Sequence, residues 1–345
     1  MRNNLVAWAV SEDYFPSFGS IKEKFIFFVR YAILAPSGHN TQPWVFEVHE
    51  ESLNLYADRT RALPVIDPDD RELIISCGAA LTNLTVAMKY FGFEPEITYF
   101  PVENDNDLLA SVIIKTRDYQ PNDEDKMFFK SILKRRTNRL PFADSVIDGI
   151  TKQKLISITT EDKDVRFAIV EDNDKREEII KLIEIADRAQ STNKSFCREL
   201  AQWVHPNRSS SKDGIPGYAF GMGDLISYGS PFFIGNLNWG DIQAGRDRNL
   251  VKGSPVLAYF ETKKDKPYEW LKTGMALERI LLKAAYEGIA ASYLNQPLEV
   301  PELFERFKLL VDTPNYPQMI LRMGYGKEVK STPRRDVEDV LKANK

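Results

Sequence analysis

The sequence predicts an α+β fold made of two related halves in one chain. Three observations carry that expectation: an internal repeat, an alternation of helix-period and strand-period segments through both halves, and a length of 345 residues, more than one hydrophobic core ordinarily fills. In the repeat, residues 78–92 (GAALTNLTVAMKYFG) align without gaps on residues 274–288 (GMALERILLKAAYEG) at a constant offset of 196. Leu81, Leu84 and Met88 in the first copy correspond to Leu277, Ile280 and Ala284 in the second, the i, i+3, i+7 stripe of an amphipathic helix. Gly92 and Gly288 suit the left-handed position that ends such a helix. Pro101 and Pro297 keep the same offset.

The first half begins with a helix over residues 21–35, which Pro36 ends, and continues into alternating strands at 44–48 and 52–57. The first repeat helix comes next, then a strand around 110–115. The second half has the same grammar: a helix near 149–158, a strand at 165–171, a helix over 175–190, a strand at 256–261, the second repeat helix and a closing strand at 319–323. Pro121 to Asp125, with Pro, Asn and a charge run, marks the boundary, so the halves are 1–122 and 123–345. Two similar units in one chain imply a pseudo-twofold arrangement packed like a dimer, with its natural pocket in the cleft between them. Residues 205–249 break the pattern as a Gly-rich insertion that carries Tyr218, Phe220, Tyr228, Phe232, Phe233 and Trp239. It is too aromatic for a linker and is expected to form a lid or wall of the pocket, the alternative being a surface insertion that its aromatics anchor.

Composition excludes several classes. Hydrophobic residues make up 43% and charged residues 28%, a soluble globular balance, and a net charge of −4 leaves no overall positive field to collect nucleic acid or an anionic membrane. Cys77 and Cys197 are far apart and only His39, His49 and His205 join them, so neither a disulfide framework nor metal-ligand spacing is expected. The amino terminus lacks the pattern of an export signal, and the apolar run at 25–35 is about half the ~20 residues a spanning helix needs, so the expected location is the cytoplasm. No G-x-G-x-x-G, P-loop or G-x-S-x-G element is present; Gly221-Met222-Gly223 lacks its third glycine.

The most specific stretch is residues 32–46, AILAPSGHNTQPWVF. Ser37, Asn40, Thr41 and Gln42 place hydroxyls and amides in a turn before Pro43-Trp44 opens a strand, and amides offer the donor and acceptor that a heteroaromatic edge requires. Arg135, Arg136 and Arg139 lie close together and, with Arg334 and Arg335, offer guanidinium forks that match a terminal phosphate. His39 reads as a turn residue lining the pocket.

These motifs resemble the FMN-dependent nitroreductase superfamily. Ala35-Pro36-Ser37-x-x-Asn40-x-Gln42-Pro43-Trp44 is similar to its APSxxNxQPW turn, and Arg135-Arg136-Thr137-Asn138-Arg139 to its Arg-Arg-Ser-x-Arg element for the FMN phosphate and ribityl chain, with Thr137 in place of serine. Residues 288–299 resemble the segment that passes beside the flavin N5, through Asn295 and Gln296, and Gly324-Tyr325-Gly326 with Pro333-Arg334-Arg335 resembles the closing strand and phosphate-binding tail. The order departs from the ordinary member, because the arginine element comes after the turn. Each half then keeps only part of the kit: before Ile21 the first half has only Arg2, and the second has Thr159-Thr160-Glu161-Asp162 where another polar turn would stand. A fused-dimer branch similar to the mycobacterial Acg proteins has this arrangement.

The resemblance implies a nitroreductase-like fold with one FMN per chain, its ring against Pro36, Ser37 and Asn40 and its phosphate on the second-half arginines. It implies a two-electron oxidoreductase passing hydride from NADPH or NADH to a small electron-poor acceptor such as a nitroaromatic or quinone, with the flavin rather than a side chain carrying the chemistry. An FMN-sequestering protein with a closed site is the alternative, and a scaffold that binds nothing is a third. A pseudo-dimer that has already buried its pairing surface is expected to be a monomer.

Overall fold

The computed structural model describes residues 3–160 and 163–342; Arg2, Glu161 and Asp162 lie outside the described residues. The amino-terminal part of the chain contains α1 (Ile21–Ala32), β1 (Trp44–Val48), β2 (Ser52–Ala57), α2 (Arg71–Tyr90), β3 (Glu94–Tyr99) and β4 (Leu108–Thr116). Its four strands form one antiparallel sheet in the order β1-β2-β4-β3. The inward alternation of β1 and β2 buries Trp44, Phe46, Leu53 and Leu55 on one face.

The rest of the chain supplies α3 (Asp123–Ile132), α4 (Gly149–Ser157), β5 (Val165–Ile169), α5 (Asn173–Thr192), α6 (Lys194–Trp203), α7 (Asp224–Asn236), α8 (Gly240–Lys252), β6 (Val256–Thr262), α9 (Pro267–Tyr286), β7 (Ala290–Tyr293), α10 (Gln296–Glu299), α11 (Pro301–Leu310) and β8 (Tyr316–Gly324). Its antiparallel sheet runs β5-β6-β8-β7. Each sheet therefore takes its own strands in the order first, second, fourth, third, and each places a repeat helix between its second and third strands.

The helices α2 and α9 pack on one another at the centre of the molecule and contribute to one continuous core. A helix apolar on all sides must be buried on all sides, and α2 is: it is the one described helix long and apolar enough to cross a membrane, yet 83% of that stretch is buried within the protein. Gly92 (φ +86°) and Gly288 (φ +73°) are left-handed just beyond the two helices, as expected. Both helices begin earlier than the repeat, so Gly78 and Gly274 lie inside them rather than at their starts.

The aromatic stretch differs from the expected irregular insertion. Residues 204–205 and 215–216 pair as short parallel strands, α7 forms over its centre despite Pro231, and α8 packs against α5 as an ordinary core element. Cys77 and Cys197 are free and buried.

Candidate active site

The turn after α1 is bent sharply: His39, Asn40 and Gln42 all have positive φ, at 48°, 58° and 54°. Such conformations cost side chains other than glycine free energy and persist where neighbours over-determine them. Here Ser37 Oγ accepts from the Gln42 N–H at 2.9 Å, Asn40 Nδ2 donates to the carbonyls of Gly214 and Pro333 at 2.9 and 3.0 Å, and Gln42 Nε2 donates to the Lys212 carbonyl at 2.9 Å. The Arg335 N–H donates back to Gln42 Oε1 at 2.7 Å. The turn is thus stitched to the chain before α7 and to the C-terminal tail, and Pro36, Ser37 and His39 are left facing a cavity. Asn40 and Gln42 were expected to meet a ligand, but their amides are spent holding the backbone and line no part of that cavity.

That cavity has a volume of about 360 Å³. It is lined by Pro36, Ser37 and His39 of the turn, Glu72 and Ser76 of α2, and Tyr293, Asn295 and Gln296, with Phe220, Phe233, Trp239 and Ile242 adding apolar surface. Of the expected site residues it gathers Pro36, Ser37, Arg139, Asn295 and Gln296. Arg139 and Arg246 both face it, and Arg246 Nη2 donates to the Phe220 carbonyl at 3.1 Å. Burial pushes the Arg139 guanidinium down to about 10. Burial, and then the charge of Arg139, pushes the His39 imidazole down to about 4, so it is neutral near pH 7. Among the described residues, three buried polar atoms along this lining, His39 Nε2, Asp187 Oδ2 and Gln296 Oε1, lack a hydrogen-bond partner. A buried polar group left alone is costly, so the arrangement favours a ligand with both donors and acceptors.

Behind the turn lies a second cluster. Arg135 Nη2 donates to the Leu34 carbonyl at 2.7 Å and its Nε stands 3.3 Å from Glu278 Oε1. Arg334 Nη1 donates to Asn40 Oδ1 at 2.7 Å and its Nη2 to the Ala35 carbonyl at 3.0 Å. Arg136 and Arg334 both face the Trp8 ring, at 4.1 and 5.2 Å from its centroid. Burial, then Arg135 and Arg136, depresses the Arg334 guanidinium well below its ordinary value. Arg135 and Arg334 thus both bear on the carboxyl of Glu278, with Arg136 beside them, and the buried Nε atoms of Arg135 and Arg334 make no hydrogen bond among the described residues. This donor set fits an anion.

Arg335 does not complete it, contrary to expectation. Its Nη1 donates to the Gln42 carbonyl at 3.1 Å and stands 3.6 Å from Asp58, on the far side of the turn. Thr137 does not line the cavity itself; it forms a parallel bridge with Ala291, and its side chain hydrogen-bonds Tyr293, which does.

Sequence reading missed the acids of the cavity. Glu72 is pushed up to about 7 by burial and receives a hydrogen bond from Asn295 Nδ2 at 3.0 Å. Glu299 receives one from Gln190 Nε2 at 2.7 Å. Asp187 and Asp247 share the Gln296 amide. The available signal was phase: Asp187 falls four residues after Ile183, on the apolar face of α5.

The chain matches no protein-family model. It is 28% identical over 320 residues, 91% of this chain and 93% of the other, to a Mycobacterium tuberculosis protein named NAD(P)H nitroreductase acg. It is 29% identical over 322 residues to a second protein of that organism named as an NAD(P)H nitroreductase, covering 90% of this chain and 88% of that one. Among solved structures it resembles the NADPH:FMN oxidoreductase of Vibrio harveyi, at 13% identity and a TM-score of 0.40 over 64% of this chain and 77% of that chain. Over most of its length the chain is similar to proteins named as NAD(P)H nitroreductases.

Proposed function

We propose that this protein is an NAD(P)H-dependent oxidoreductase of the nitroreductase type that holds one FMN between two related halves, 1–122 and 123–345, and reduces a small electron-poor acceptor such as a nitroaromatic or quinone. The observation that carries the reading is the pairing of two sites across one strained turn: a cavity lined by residues of both halves on one side and a buried guanidinium cluster short of negative charge on the other. The matching strand orders of the two sheets support the pseudo-twofold reading of the halves.

The residues fit the cofactor. Arg135, Arg136 and Arg334 would hold its phosphate, and Pro36, Ser37, Arg139, Asn295 and Gln296 would border its ring. When bound, FMN supplies two-electron chemistry between the nicotinamide and the acceptor. The chain's own part is to orient these partners and keep water away. Phe220, Phe233 and Trp239 provide an apolar roof for a planar acceptor, while Arg139 stays cationic beside it.

The roof also bears on the sequestering alternative. Ile242 lines the cavity while 69% exposed, and Phe233 does so while 40% exposed, which favours access from solvent. The purified protein is expected to show a flavin absorption spectrum that bleaches on anaerobic addition of NADPH or NADH. A spectrum that persists would instead support sequestration, and a colourless protein that takes up no FMN would end the cofactor assignment. Light scattering is expected to show a monomer.

A further inference from the structure

Asp187, in the last half of α5, is 2% exposed, and its Oδ2 has no hydrogen-bond partner among the described residues although Asp187 lines the cavity. Its Oδ1 accepts from Gln296 Nε2 at 3.2 Å, the same amide that donates to Asp247 Oδ2 at 2.9 Å; Gln243 Nε2 also donates to Asp247 Oδ2, at 3.0 Å. Two buried carboxyls therefore share one neutral amide. Among the described residues no cation pairs with Asp187 itself: Arg246 and Arg322 act on Asp247, and Arg248 is engaged by Glu184. Glu184 and Arg188 on its own helix bear on Asp187 with opposite signs, and Glu299 lies beyond Gln190 on the other side. Burial, and then the Asp247 charge, pushes the Asp187 carboxyl up to about 8.

We propose that Asp187 is the proton donor to the acceptor bound in the cavity, presenting its unpartnered carboxyl oxygen to the acceptor's oxygen under the aromatic roof. This rests on the reductase reading above. For a nitro acceptor the overall change is R–NO2 + NAD(P)H + H⁺ → R–NO + NAD(P)⁺ + H2O. The nicotinamide gives up two electrons and one proton as hydride, an N–O bond breaks, and the departing oxygen leaves as water. Asp187 supplies the second proton and is then reprotonated from solvent. Gln296 and Asp247 are positioning residues, the amide fixing the carboxyl's direction and Asp247 keeping its proton in place.

The substitution Asp187→Asn keeps the shape and the contact with Gln296 but removes the acid. Steady-state reduction of nitrofurazone is expected to lose about 10²-fold in kcat with little change in KM, the usual weight of a general acid. The wild-type rate should fall above pH 8 and that limb should vanish in the variant. Asp247→Asn retains the donor and should move the break to lower pH, which keeps the test open if the first variant folds poorly. A readout independent of turnover is benzoate affinity, since a planar carboxylate accepts from protonated Asp187 and is repelled by the ionised form. Its Kd in the wild type should rise about tenfold per pH unit above the break, and stay flat in Asp187→Asn. Nitrofurazone kcat within twofold of wild type in Asp187→Asn, or a pH-independent benzoate Kd in the wild type, overturns the proposal. A wild type with the benzoate dependence but no acceptor reduction supports the proton at Asp187 and overturns the reductase reading alone.

Discussion

Gly78 and Gly274 meet at the crossing of α2 and α9. A Cβ added to Gly78 would lie 3.0 Å from the Gly274 Cα, one added to Gly274 would lie 2.9 Å from the Gly78 Cα, and each would also overlap a backbone carbonyl of the facing helix. The two positions are equivalent in the internal repeat, so the glycine that each copy carries is what lets the copies touch backbone to backbone. Gly78→Ala and Gly274→Ala are each expected to lower unfolding free energy by about 3 kcal/mol, because the clash is with main chain that cannot rotate away. Urea denaturation would measure it. The double variant should cost less than the sum, since one enforced separation relieves both contacts; full additivity would show that the crossing is not shared.

The repeat and the Pro36–Trp44 turn were legible in the sequence because both are local: a stripe at helical spacing, and a cluster of turn-forming residues between a helix and a strand. Directions were not legible. Asn40 and Gln42 look as available for a ligand as Ser37, yet Gly214 and Pro333, from distant parts of the chain, claim the Asn40 amide. Arg334 and Arg335 are neighbours in sequence and point to opposite sides of the turn. Helix α7 escaped notice because Gly229, Pro231 and Gly235 are poor helix formers, and tertiary packing overrides them. Asp187 escaped because an acid in an amphipathic helix reads as solvated until its facing elements are known.

The division of the arginines can be tested by substitution. Arg135→Met and Arg334→Met each remove a buried guanidinium from the cluster, and each is expected to weaken FMN retention by at least tenfold on dilution. Arg135→Met also strands Glu278, a loss of about 3 kcal/mol or more in the flavin-free protein. Arg335→Met should leave FMN retention unchanged, because Arg335 serves Asp58 and the turn carbonyls. Equal loss of flavin in all three would disprove the assignment.

His39 combines a left-handed backbone with a neutral, buried ring. Exchange for glycine removes the backbone strain but loosens the unfolded chain, so His39→Gly is expected to stay within about 1 kcal/mol of wild type at pH 7, whereas His39→Val, β-branched at positive φ, should lose about 2 kcal/mol. With its folded value pushed down to about 4, the imidazole takes up a proton more readily in the unfolded chain. Its contribution to stability is present above the ordinary histidine range near 6.5 and is lost as pH falls toward 4. His39→Gly should therefore flatten the acid side of the stability profile between those values, as read from urea midpoints.

The cavity acids predict the opposite slope on the other side. Asp187 and Glu72 have folded values raised to about 8 and about 7, chiefly by burial. Below the ordinary carboxyl range near 4 both folded and unfolded chains hold these protons and the contribution to stability is fully present. As pH rises the unfolded chain releases them first, so stability declines until the folded groups ionise, and the contribution is gone above about pH 8. Wild-type denaturation midpoints are expected to fall from pH 5.5 to pH 8.5, and Asp187→Asn, which has no proton to lose, should be the more stable protein at pH 8.5 while differing little at pH 5. If the two proteins track each other across that range, Asp187 is ionised throughout in the folded state, and the two carboxyls around Gln296 would have to be balanced by Arg246 and Arg322 rather than by a retained proton.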